Sequence, residues 1–388
     1  MARNESAKQS RADIDTARLP RSPRPLAITI NLSLVICYLL FVAVCFHILF
    51  FSQTREAIIS PWQITPFYFF IFYGLATLIL FVTIYRFNSL AIPLISLHYF
   101  LSFSVALIIY KIGYGFDPFI HRATVGLIDK IGSVDPKPFY YLGQYALVVI
   151  LHKLTFFPID WLDKLLAPIM AALYLPCLAY QALKKLFGEN KSTRLAVILI
   201  LALPFSFFII TTPQNLAYLF LFFAILYGLT VNNIFKLLVV YLLAATSFII
   251  HPLAGIPTIF FALALTIYHS DCEKFKKYFY GLIFILSSIS LPAIFYLLEK
   301  NNAPAPDNMI NNGTSATPWL KLIVPNQENF ILNFIYLYGF NIKFIVAVLA
   351  AAGLFIAYRR RRECRVFFVY FLMSATMFIS YILAKNIT

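Results

Sequence analysis

The chain is dominated by runs of mostly apolar residues, many near the roughly twenty residues a helix needs to cross the hydrocarbon core of a bilayer. Eleven can be laid out, at 26–51, 66–85, 90–110, 166–187, 195–212, 215–232, 236–251, 253–270, 278–298, 342–358 and 366–384. Lipid offers no partner to an open backbone N–H or C=O, so each run is expected to be a helix. Hydrophobic residues make up 61% of the 388 and charged ones only 12%, where a soluble domain carries about 25% charged residues. A water-soluble fold could not cover that much Leu, Ile and Phe. This excludes a soluble enzyme, a disordered chain and a small disulfide scaffold. The sequence predicts an all-α, polytopic transmembrane bundle. A basic tail covers 1–25, and a single transmembrane domain covers 26–388.

The net charge of +15 would suit a nucleic-acid binder, so its distribution has to be read first. With the N-terminus in the cytoplasm, the inner segments are 1–25, 86–89, 184–194, 232–236, 270–277 and 359–365. They hold 20 of the 31 Lys and Arg and 7 of the 16 Asp and Glu, which leaves +13 inside and +2 outside. That is the positive-inside bias of a membrane protein, and no nucleic-acid partner is expected. The run 26–51 is too long for a signal-peptide core and leads straight into further runs, so it is read as a retained helix. The expected location is multi-pass in the plasma membrane. Cys37, Cys45, Cys177, Cys272 and Cys364 show no paired spacing, so neither a disulfide framework nor a zinc site is expected.

Two connections, 111–165 and 299–330, are longer than joining two helices requires, and both fall on the outer side. In the first, glycines at 113 and 115 and the pair Asp117-Pro118 mark a turn into a helix from Pro118 to about Ile131. Its apolar residues Phe119, Ile120, Val125, Leu127 and Ile128 suit a helix lying on the membrane surface. A second short helix is expected from Tyr141 to Thr155, too short to cross. Asp117 and His121, four apart, share a helix face. An Asp there can act as a general base and a His can assist it or hold a phosphate. The same residues also suit a bare N-cap and an interfacial polar residue.

The segment GYGFDPFIHRA at 113–123, the short helix after it and a long helix ending in KKLFG at 184–188 resemble the membrane glycosyltransferases of the GT-C superfamily. That group includes the oligosaccharyltransferase catalytic subunit and the protein mannosyltransferases. The resemblance covers roughly residues 90 to 270. It implies a GT-C-like fold with two juxtamembrane helices in the first long outer loop. The implied activity is transfer of a sugar from a polyprenyl-phosphate donor to a glycan, lipid or protein acceptor at the outer face. It places Asp117 as the catalytic carboxylate, acting on the acceptor or helping to hold a metal. The second acidic motif of many members is replaced here by TTPQNL at 211–216, where Gln214 and Asn215 can bind sugar hydroxyls but cannot act as bases. No Asp-x-Asp pair lies on the outer side, the one at Asp13-Ile14-Asp15 falling in the basic tail, which argues against the divalent metal that the resemblance would otherwise allow. The Trp-Trp-Asp-Tyr-Gly motif of oligosaccharyltransferases is also absent, which disfavours transfer to protein Asn.

Further candidates for substrate binding lie at the same membrane depth. His251 precedes Pro252 at a helix junction, and Arg122 and Lys343 can meet a lipid phosphate. His251 can equally be a helix-end residue, and Lys343 can snorkel to the surface. The loop 299–330 can serve as a lid or be a solvated connection. Two rival classes stand beside the enzyme. One is a transporter or lipid-carrier flippase, although no acidic residue lies inside an expected span. The other is a catalytically inactive GT-C-like membrane protein.

Overall fold

A computed structural model describes residues 25–86, 90–115, 117–133, 141–203, 205–271, 273–301, 322–325, 329–359 and 366–385. The basic tail at 1–24 and most of the loop 299–330 therefore lie outside the described residues. Fourteen α-helices occur among the described residues, and no β-strand. They are α1 (Pro25–Phe51), α2 (Phe67–Arg86), α3 (Ala91–Ile109), α4 (Asp117–Ile131), α5 (Leu142–Thr155), α6 (Ile159–Phe187) and α7 (Lys191–Ile198). Next come α8 (Pro213–Gly228), α9 (Ile234–Ile250), α10 (Pro252–His269), α11 (Glu273–Asn301), α12 (Phe330–Phe340), α13 (Ile342–Arg359) and α14 (Phe367–Lys385).

Six helices, α1, α2, α3, α6, α10 and α11, contain segments long and apolar enough to cross a membrane. The pair α12–α13 makes a seventh candidate, bent by 54°. The expected eleven full-length spans are thus not all present as long helices. α8 and α9 have 16 and 17 residues, a rise of about 24–26 Å against a hydrocarbon core of about 30 Å. The apolar part of α14, Phe367–Ser380, is also short. The run 195–212 is not one helix. α7 ends at Ile198, and 3₁₀ turns follow at Leu199–Ala202 and Ser206–Phe208. The residue after Leu203 is a proline, which has no N–H to extend a helix and disfavours helical geometry in the residue before it. α12 fills the gap between the connection 299–330 and the run from 342, where no helix is expected from hydropathy.

Two apolar cores meet along α8. The first joins α1, α2, α3, α6, α7 and the start of α8 around Tyr38, Tyr99, Leu175 and Leu216. The second joins the far part of α8 with α9, α10, α11 and α14 around Val240, Ala262, Leu265 and Val369. The buried tyrosines each find a carbonyl: Tyr38 donates to Leu94 O at 3.0 Å, and Tyr99 donates to Val197 O. This satisfies their hydroxyls without water, as apolar surroundings demand.

Successive helices turn back on one another, so the bundle has two distinct ends. At one, the loop end, Thr54 and Lys111 pair their backbones with N–H···O distances of 2.9 and 3.1 Å between Thr54 and Ile109 and between Lys111 and Thr54. This end also carries α4, α5, the start of α8 and the α9–α10 junction. At the other, the basic end, α6 finishes in Lys184 and Lys185, the Lys191 ammonium lies 3.9 Å from the Tyr85 ring centre, and α10 finishes at His269.

Candidate functional site

The two short helices of the first long connection form as the sequence predicts, with α4 over Asp117–Ile131 and α5 over Leu142–Thr155. Their contacts keep a nearly constant offset. His121 meets Tyr145, Val125 packs with Val148, and Asp129 meets Lys153, so the two helices run side by side in the same direction. Val125, Tyr145 and Val148 are buried against Ile159, Leu162 and Leu166 of α6. The exposed face of α4 carries Phe119, Ile120, Leu127 and Ile131, an amphipathic pattern suited to an interface. α5 is fixed by a close approach: a Cβ on Gly143 would stand 2.5 Å from the backbone oxygen of Ile249. Only a glycine lets the start of α5 press onto the end of α9.

A polar cluster forms where these three helices meet. The Arg122 Nε lies 3.5 Å from Asp163 Oδ2 and 3.6 Å from Asp160 Oδ1. Gln144 donates its Nε2 to Asp163 Oδ1 at 3.4 Å. These are long contacts, but Asp163 is 1% exposed and Gln144 fully buried, so the pairing carries weight that a surface pair would not. Lys164 donates to the carbonyl of Lys111 at 3.1 Å and sits over Trp161, 5.7 Å from its ring centre. Pro118, Arg122, Asp163, Lys164 and Thr211 border a crevice of only about 10 Å³. That is at the lower limit of space for a single water.

Beside it lies a ring cluster. His121 Nδ1 is 2.8 Å from the Tyr145 hydroxyl. The His121 and Tyr141 rings are 5.4 Å apart, and so are those of Tyr141 and His251. Burial, followed by the charge of His121, lowers the His251 pKa to about 4, so its imidazole is neutral at pH 7. At the far end of α4, the Lys153 hydrogen bond leads in holding the Asp129 carboxyl below its ordinary range.

The structure brings some expected residues together and leaves others apart. Asp117 is the first residue of α4 rather than a residue preceding it, and it is exposed with no hydrogen bond or ion pair among the described residues. His121, Arg122 and His251 join the clusters above. His251 also caps α10, its Nδ1 accepting from the Leu253 N–H at 3.1 Å. Thr212, not Gln214 or Asn215, caps α8. Gln214 is exposed and reaches Tyr218 at 3.4 Å, and Asn215 accepts from Ser206 at 3.4 Å. Lys343 sits at the start of α13, 5.4 Å from the centre of the Phe344 ring. Asp163, Gln144, Tyr141 and Tyr145 had not been singled out. The one signal for Asp163 was its position three after Asp160 at the polar head of a long apolar run.

Among the described residues no group of three or more His, Cys, Asp or Glu converges as a metal site. Cys37, Cys45 and Cys177 carry free thiols; Cys272 and Cys364 lie outside the described residues. Comparison with protein-family models, with curated proteins and with solved structures finds no match to this chain.

Proposed function

We propose that this is an integral membrane glycosyltransferase that uses a polyprenyl-phosphate sugar donor at the loop end, with that end outside the cell and the N-terminus in the cytoplasm. One observation supports it above the others. Of the four carboxylates on α4 and α6, Asp129, Asp160 and Asp163 are engaged by cations, and Asp117 alone stands exposed and unpaired at the head of a surface helix. In this reading Asp117 takes the proton of the acceptor hydroxyl as its oxygen attacks the anomeric carbon. The bond from that carbon to the phosphate oxygen breaks, and the polyprenyl phosphate leaves with the electron pair. Arg122 is shared between a buried Asp163 and an Asp160 whose side chain is 71% exposed. The donor phosphate displaces the solvated Asp160 contact and leaves the buried one in place. The bundle crosses the membrane eleven times, one crossing being the broken run of α7 and the two 3₁₀ turns that follow it, and the short helices α8, α9 and α14 being accommodated by their neighbours and by local thinning of the bilayer.

The test is transfer from a labelled polyprenyl-phosphate sugar in membranes expressing the protein. Asp117→Asn is expected to lower the rate by about 10²–10⁴-fold, the usual contribution of a general base. Undiminished transfer would remove Asp117 from the chemistry. A second reading, movement of a lipid carrier across the membrane, draws on the large cavity at the opposite end. Translocation in proteoliposomes without a covalent product would favour it.

A further inference from the structure

A large cavity lies away from the loop end. It occupies about 1050 Å³ at the basic end, between the last turns of α6, α8 and α10 and the facing sides of α13 and α14. That is at the top of the range of about 300–1,000 Å³ typical of small-molecule sites. Most of its lining is apolar, from residues such as Gly353, Phe367 and Phe371, with Lys185 and His269 supplying charged or donor groups.

The cations here differ in their engagement. Lys184 is paired with Glu189 at 2.5 Å, and Lys276 with Glu273 at 2.6 Å. Lys185 also lies on the cavity wall, and it has no ion pair among the described residues. Both Lys185 and Lys276 are near enough to His269 to act on its imidazole electrostatically. Three helix C-termini meet here, and their partial negative charge, about half a unit each, opposes an anion. α6 already carries Lys184 and Lys185 in its last turn, and Lys236 donates to the Thr230 carbonyl just beyond α8 at 3.2 Å. Lys185 and Lys236 are cations here with no carboxylate partner among the described residues.

We infer that this cavity binds an anionic phospholipid, its apolar chain inside the cavity and its phosphate at Lys185 and His269. Apolar volume and a lysine with no ion pair among the described residues stand side by side here, and an anionic lipid is the ligand that uses both. A basic pocket between membrane helices has this recognition chemistry, at about 1 kcal/mol for each Lys or Arg near the surface. The inference does not depend on Asp117 or on glycosyl transfer.

The full chain, purified in detergent, can be titrated with dioleoyl phosphatidic acid, dioleoyl phosphatidylcholine, dioleoylglycerol and inorganic phosphate. Bound lipid is counted by native mass spectrometry. The unmodified protein should retain phosphatidic acid in preference to both uncharged and zwitterionic lipids. Lys185→Gln should weaken phosphatidic acid about fivefold, the equivalent of one lysine contact, and leave dioleoylglycerol unchanged. Lys184→Gln, which removes a paired cation, should have a smaller effect. Gly353→Leu should lower retention of every lipid, because a Cβ there meets nothing within 4 Å and the side chain grows into the cavity. Thermal unfolding without lipid confirms that each variant is folded, and Lys185→Gln carries the test alone if Gly353→Leu is not. The inference is overturned if phosphatidic acid shows no preference, if Lys185→Gln leaves that preference intact, or if inorganic phosphate protects as well as the lipid. Tighter binding of phosphatidylcholine would also overturn it, and would assign the mouth to the helix carbonyls and an ammonium headgroup.

Discussion

The two ends of the bundle are both polar, yet they use their polar groups in opposite ways. At the loop end the charges are mostly turned on one another. Arg122 is shared by Asp160 and Asp163, Asp129 holds Lys153, and the space left at the crevice is about 10 Å³. At the basic end Lys185 has no ion-pair partner among the described residues and faces a cavity of about 1050 Å³. Counting charges finds a side of the membrane, and pairing decides which charges remain for a ligand. By that criterion the loop end offers Asp117 and little else, and the basic end offers a binding volume.

The largest expected effect breaks the internal pairing of the loop end. Arg122→Ala leaves Asp163 buried without its cation and should cost about 3–5 kcal/mol. Replacing both partners, as in Arg122→Met with Asp163→Leu, should recover most of that in thermal unfolding of the detergent-solubilised protein. A double variant no more stable than the single one would mean that Asp163 is not held by Arg122. The next effect concerns the α9–α10 junction that carries His251. A Cβ on Gly255 would stand 2.0 Å from the Phe248 Cα, so Gly255→Ala should cost about 3 kcal/mol, the upper part of the overpacking range. An unchanged melting temperature would show that the two helices are not in backbone contact.

A smaller effect comes from pH. Burial depresses the His251 pKa to about 4, below an ordinary value near 6.5. A depressed pKa contributes stability that is fully present above the ordinary value and is lost as the pH falls through the folded one. Asp163, whose burial raises its carboxyl to about 6, acts in the opposite sense over the same window, so the test is a difference: the melting temperature of the unmodified protein relative to His251→Gln should fall from about pH 6.5 towards pH 4. An identical slope in the variant would assign the acid sensitivity elsewhere. The smallest effect sharpens the contrast. Lys185→Gln removes a cation with no ion pair and should change stability by less than about 0.5 kcal/mol.

Much of the fold was legible because hydropathy reads length and apolarity directly. The bounds of α4 and α5 follow from turn residues and from an amphipathic repeat, and the last turn of α6 from KKLFG. The break within 195–212 was missed because a hydropathy window sums across a proline that a helix cannot ignore. α12 was missed because it is short and ends in a sharp bend, which no one-dimensional sum records. At the site, Asp117, His121 and Arg122 were visible through their spacing on one helix. Asp163 was not, because its partner Arg122 is 41 residues away in sequence, and nothing local marks a carboxylate as buried. The cavity was invisible for the same reason, since five helices from across the chain form its wall.

The account stands on the two ends lying on opposite faces of the membrane, with the loop end outside. In a cysteine-free background, single cysteines can be placed at Ser133 beyond α4 and at Ser192 in α7, both exposed in the fold. Intact cells are then treated with a membrane-impermeant maleimide. Labelling of Ser133→Cys from outside, with Ser192→Cys labelled only after permeabilisation, is the predicted result. Labelling of both from the same side, or in the reverse order, would contradict it.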